Sequence, residues 1–161
     1  MQLTALVLAA GLLASLHGHS DATQLQGVRL EMAKKRVHAV LNHVANYKSQ
    51  DENQEVWIFR NDPSVQTLIV GYAADNRVRY ITVLAKKQGK ALACKPLGDI
   101  KNAQVAGKAG TYVYTHSWKE HGDKYAVMAR SEAGRLTSCS VKKVGVGIES
   151  DEAEHAGRKS S

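Results

Sequence analysis

The spacing of apolar residues along this chain changes at Glu55, and that change limits the fold more than any other feature. Before it, TQLQGVRLEMAKKRVHAVLNHVANYKS repeats Ala33, Val37, Val40, Leu41, Val44 and Tyr47 at intervals of three and four. That spacing lines one side of a 3.6-residue helix, so it predicts an amphipathic helix over 32–47, with Lys34, Lys35, His38, Asn42 and Asn46 toward water. The polar run SQDENQ ends it. From Glu55 onward the period is two, or the chain runs through short stretches rich in β-branched and aromatic residues, as strands do. The predicted strands are EVWIFR, SVQTLIVGYA, RVRYITVLAK, KALACK, TYVYTHSW, KYAVMARS and RLTSCSVKKV.

Turn chemistry falls between these runs. Asp75 and Asn76 tolerate positive φ at the centre of a tight hairpin, and Gly89, Gly122 and Gly134 mark three further tips. DIKNAQVAG interrupts the β pattern and reads as a two-turn helix, with Asp99 as N-cap and Gly107 as its stop. The expected architecture is α+β: an N-terminal amphipathic helix packed on a mainly antiparallel meander.

The first residues bear on compartment. In MQLTALVLAAGLLASLHGHSDA, residues 3–16 are apolar apart from Thr4, Gly11 and Ser15, and no charged side chain precedes Asp21. A spanning helix needs about 20 apolar residues, whereas a secretory signal needs only about 7 to 15 followed by small residues. Cleavage is therefore expected after Ala22, with a buried N-terminal helix as the alternative. The division that follows is 1–22 signal peptide, 23–148 a single domain, and 149–161 a disordered tail that lacks large apolar residues. Export predicts a secreted or periplasmic protein without a transmembrane helix in its mature chain. It also makes Cys94 and Cys139 an expected disulfide, which would disfavour the unfolded chain by ~4 kcal/mol in the chain-entropy account.

With residues 1–22 removed, 22 basic residues face 14 acids, a formal charge of +8. Such a charge favours anionic partners, and export makes nucleic acid the least natural of them. Arg77, Arg79, Lys86 and Lys87, with Lys90, Lys142 and Lys143, would form a basic patch if their strands are neighbours. Alternation in TYVYTHSW puts Tyr112, Tyr114, His116 and Trp118 on one face, as core, as a rim, or as an exposed binding platform.

HSWKEHGD concentrates metal-binding side chains, His116, Glu120, His121 and Asp123. Its H-x-x-x-E-H spacing matches neither H-E-x-x-H nor H-x-x-E-H, and it falls on a predicted hairpin. No G-x-S-x-G elbow or phosphate-binding loop is present, so no catalytic residue is assigned and no cofactor is expected. The leading expectation is an exported, non-enzymatic binding protein whose partner is an envelope protein or an anionic envelope polymer. The alternatives are a small metal-binding protein or metal-dependent hydrolase at the HSWKEHGD hairpin, and a charge-driven binder of anionic polymer or membrane surface.

The order GVRLEMAKKRVHAVL, VWIF and LIVGYAADNRVRYITVLAK resembles the helix-then-strands repeat of the β-lactamase-inhibitor-like and outer-membrane-assembly lipoprotein superfamily. Gly27, Leu30, Met32, Val37, Leu41 and the 68–80 hairpin occupy the comparable places. VRYITVLAK, YVYTHSW, YAVMAR and LTSCSVKK are similar to uncharacterised exported bacterial proteins. The resemblance implies protein or ligand binding on a sheet face and carries over no catalytic residue.

Overall fold

The computed structural model describes residues 21–98 and 100–145. The expected signal peptide, apart from Asp21 and Ala22, and the expected tail lie outside the described residues. A two-stranded hairpin, β1 (Gln24–Leu25) and β2 (Val28–Arg29), leads into helix α1 (Lys34–Leu41). Eight strands follow: β3 (Ala45–Asp51), β4 (Gln54–Phe59), β5 (Val65–Tyr72), β6 (Val78–Ala85), β7 (Gln104–Lys108), β8 (Thr111–Glu120), β9 (Asp123–Glu132) and β10 (Arg135–Val144). They form one sheet in the order β3-β4-β5-β6-β10-β9-β8-β7, antiparallel throughout. The described residues are thus mostly antiparallel sheet with one α-helix. Each group of four is a meander, and the last strand of one, β6, pairs with the last strand of the other, β10.

The pleat sorts the side chains onto two faces. On the inner face, one cross-strand row runs Trp57, Leu68, Val83, Cys139 and Ala129, and the next runs Glu55, Val70, Ile81, Val141 and Val127. All ten are essentially removed from solvent. Leu25, Val28 and Leu30 from the first hairpin, Val37 and Leu41 from α1, and Leu92 and Leu97 from the β6–β7 connection join the same core. On the outer face the row Val56, Ile69, Thr82, Ser140, Met128, Thr115 and Gln104 crosses seven strands, and no member is fully buried. Among the described residues, hydrophobic cover is therefore confined to one side.

Three expectations change. The helix stops at Leu41 instead of Tyr47, because Leu41 is its last buried residue and Asn42 caps it on the His38 carbonyl. Val44 (45% exposed) and Tyr47 (47% exposed) continue the helical spacing without burial, and Tyr47 instead pairs with Trp57 as part of β3. KALACK forms no strand. Its alternate Leu92 and Cys94 face the core from an irregular crossover that tightens into a 3₁₀ turn at Lys95–Leu97. DIKNAQVAG is a 3₁₀ turn at Ile100–Asn102 followed by β7, not a helix; its proposed cap, Asp99, lies outside the described residues. Gly107, the supposed stop, pairs with Tyr112, where a Cβ would meet the Thr111 carbonyl oxygen at 2.2 Å.

Cys94 and Cys139 are joined, with Cα atoms 5.7 Å apart. The bond ties the crossover to the middle of β10, so Leu92 and Leu97 remain over the sheet. Arg135 holds the same connection from its start, donating through its guanidinium to the carbonyls of Lys86, Lys87, Gly89 and Lys90. Replacing both cysteines by alanine should lower stability by ~2–4 kcal/mol. Urea unfolding of the variant would show it as a lower midpoint, and an unchanged midpoint would contradict the pinning role.

Candidate functional site

Two surfaces and one buried cluster carry the chemistry. The open outer face holds a trough of about 410 Å³ lined by Gln104, Thr115, Ser117, Met128, Ser140 and Lys142. Hydroxyls of Thr115, Ser117 and Ser140 and one thioether line it; Ser140 also hydrogen-bonds Thr82 on the next strand at 2.8 Å, and Met128 is 52% exposed. Met128 thus sets one exposed apolar group among the hydroxyls of this face.

The inner face is less completely covered beyond β9. Here the predicted aromatic row appears as expected on one face, in register with β9: Tyr112 opposite Ser131, Tyr114 opposite Ala129, His116 opposite Val127 and Trp118 opposite Tyr125. The row is divided in its exposure. Tyr114 and Trp118 are half-buried against the core, while Tyr112 (38% exposed) and His116 face water. His116, Trp118 and Tyr125 stack in sequence at 6.0 and 5.6 Å between ring centroids. Beside them a cleft of about 380 Å³ opens under the 3₁₀ turn, lined by Lys95, Leu97, Gly98, His116, Trp118 and Glu120, with Lys119 at its rim where the strand turns its side chain to the opposite face.

HSWKEHGD is the end of β8, a two-residue turn and the first residue of β9. His121 and Gly122 adopt φ of 50° and 86°, the left-handed pair that matches the twist of a hairpin. Glu120 pairs with Asp123 across this turn, His121 points to solvent with its Nδ1 3.9 Å from Glu120, and His116 is four residues back on the strand. Asp123 is taken by Lys143, at 2.9 Å, which also binds Glu31 at 3.0 Å. Hydrogen bonds from Lys143 to Asp123 and Glu31 raise its pKa above the ordinary lysine value. Among the described residues, no group of three His, Cys, Asp or Glu side chains is placed to hold a metal ion.

The basic residues do not merge into one patch. Arg77 lies just before β6 and Arg79 near its start, whereas Lys86 and Lys87 follow its end, about 23 Å from Arg79 at ~3.3 Å per residue. A register shift between Gly71 and Tyr72 also places an extra residue at Arg79, so the two arginines do not simply alternate on one face. Arg77 is engaged with the Glu31 carbonyl and, at 3.8 Å, with Asp75. Lys142 and Lys143 point to opposite faces of β10.

The cluster that sequence reading missed surrounds Glu55, 1% exposed on the inner face of β4. His38 Nε2 lies 2.9 and 3.0 Å from its two oxygens, Lys34 Nζ 3.0 Å from Oε1, and the Tyr72 hydroxyl donates to Oε2 at 2.7 Å. Lys34 also sits 5.1 Å over the Tyr72 ring, and His38 meets Trp57 edge to face at 5.1 Å. One carboxylate thereby joins α1, β4 and β5. Burial pushes the Glu55 carboxyl up, but donation from Tyr72, His38 and Lys34 outweighs it and holds the group below its ordinary 4.5. Burial and the adjacent carboxylate push the Tyr72 phenol well above its usual value, so it stays a donor. The available signal was an acid at an inward position of EVWIF, in phase with Trp57.

No family model, characterised protein or solved structure matches this chain.

Glu55→Ala should destabilise the protein by about 2–4 kcal/mol, since it strips a buried donor set of its acceptor; thermal unfolding near neutral pH measures it. The pH dependence has a fixed sign. A carboxylate with a folded pKa below its unfolded 4.5 contributes fully above that pH, and the contribution is lost as pH falls through the depressed value. The gap in stability between the native chain and Glu55→Gln should therefore narrow on acidification below 4.5, and a gap that widened there would refute the assignment.

Proposed function

We propose that this chain is a non-enzymatic binding protein, exported to the cell envelope or extracellular space, that takes its partner on the open face of the sheet. One observation carries the reading: no described residue covers the outer row from Val56 to Gln104 across seven strands, and Met128 within it is half-exposed. Apolar side chains (Val56, Ile69, Met128) and hydroxyls (Thr82, Ser140, Thr115) share that row over a rigid scaffold, an arrangement suited to recognition by complementarity. The Cys94–Cys139 bond supports an oxidising compartment, where such bonds persist. Among the described residues no helix is long and apolar enough to cross a membrane. The aromatic row offers less: Tyr114 and Trp118 are engaged with the core, which leaves His116 exposed at the inner cleft and Tyr112 exposed farther along β8.

Photo-crosslinking discriminates the faces. A benzophenone amino acid at Met128 should give a discrete adduct in envelope extract, and the same group at Lys35, on the exposed side of α1, should not. Equal labelling from both positions, or none from Met128, would reject the open face as the binding surface.

A further inference from the structure

We infer that the open face takes an acidic polypeptide in extended form, held by Lys119, Lys124 and Lys142. The inference rests on the binding reading above and adds the chemistry of the partner. Lys119 is directly opposite Lys124 in the β8–β9 register. Lys142 pairs with Ala126, and Ala126 pairs in turn with Ser117, two residues from Lys119 on the same face. Side chains directly opposite one another have Cβ atoms ~5 Å apart, and diagonal neighbours ~7–8 Å. Alternation along β8, β9 and β10 thus puts three lysines from three adjacent strands on the open face, with Lys142 lining the trough and Lys119 and Lys124 beyond its end.

Among the described residues nothing neutralises them. None of the three lies within ion-pair distance of a carboxylate among the described residues. The nearby acids are directed elsewhere: Asp123 and Glu31 to Lys143, and Glu120 toward His121. On the open face itself, Glu132 is paired with Arg130 at 3.1 Å, at the opposite end of β9. Like charges placed directly opposite on a sheet are destabilising. A surface that keeps such a pair beside an apolar trough is complementary to an anionic ligand with apolar side chains.

Spacing favours a polypeptide over other polyanions. Alternate residues of an extended strand recur every ~6.7 Å, close to the diagonal separation of Lys142 and Lys124. Along β9 the same face presents Lys124, then Ala126, then Met128. An acid-x-acid-x-apolar segment would place two carboxylates on the lysines and its apolar side chain on Met128. A polysaccharide would want an aromatic platform, and the Tyr80 ring on this face is occupied: it lies over Gly71, so close that a Cβ there would meet it at 1.9 Å. A bilayer would want protruding apolar residues, and Lys142 instead borders a recess.

The test uses the full chain and a fluorescein-labelled peptide ETETLTLT, with KTKTLTLT, dextran sulfate and phosphatidylglycerol vesicles as comparisons. The acidic peptide should bind, the basic one should not, and affinity should fall tenfold or more in the Lys119→Glu/Lys124→Glu/Lys142→Glu variant. Raising ionic strength from about 0.05 to about 0.5 M should weaken it several-fold. Met128→Asp should weaken it further, and circular dichroism would confirm that both variants are folded. No binding of ETETLTLT, binding unchanged by charge reversal, or dextran sulfate or vesicles binding through the lysines in its place would each overturn the inference. If crosslinks from Met128 persist in the charge-reversed chain while the peptide shows no preference, the open-face reading stands and the acidic partner falls.

Discussion

The pairing of β6 with β10 is the constraint on which the rest depends. It joins residues 78–85 to residues 135–144 and so fuses two meanders, each made of local hairpins, into one eight-stranded sheet. Without it the first meander would keep its helix, and the second would be a free four-stranded ribbon with little apolar cover. Ile81 opposite Val141 and Val83 opposite Cys139 place the densest part of the core at this junction. The disulfide is anchored there too, which couples the covering crossover to the same pair of strands. Closing such distant contacts is entropically costly and kinetically slow; constraining the loop between Cys94 and Cys139 lowers part of that cost.

From this junction the two faces acquire different chemistry. The inner side receives α1, the first hairpin and the crossover, and the Glu55 cluster fixes the helix to β4 and β5 through directional bonds that apolar packing alone lacks. The outer side receives nothing from the described residues. Its hydroxyls, thioether and unpaired lysines remain available, and the rigidity of the sheet beneath them means that binding would order few additional groups.

Legibility in the sequence followed burial. EVWIF, TLIVGY and RYITVLA were readable because one face of each is buried, so that apolar residues alternate or run together. β3 was not readable: only Ala45 of its seven residues is buried, and its edge position leaves no alternation to detect. β7 is exposed along its whole length and mimicked a helix for the same reason. The helix was overextended because Val44 and Tyr47 keep its spacing while lying on the surface. The disulfide and the face shared by Tyr112, Tyr114, His116 and Trp118 were read directly. The lysine triad and the Glu55 cluster were not, because both depend on cross-strand or helix-to-sheet register, which sequence distance conceals.

Amide hydrogen exchange followed by NMR tests the continuous sheet most directly. The account predicts that the slowest amides belong to β6 and β10 around Ile81, Val83, Cys139 and Val141, and that both meanders exchange with one common opening free energy. Fast exchange at the β6–β10 junction, with the two meanders opening independently, would contradict it.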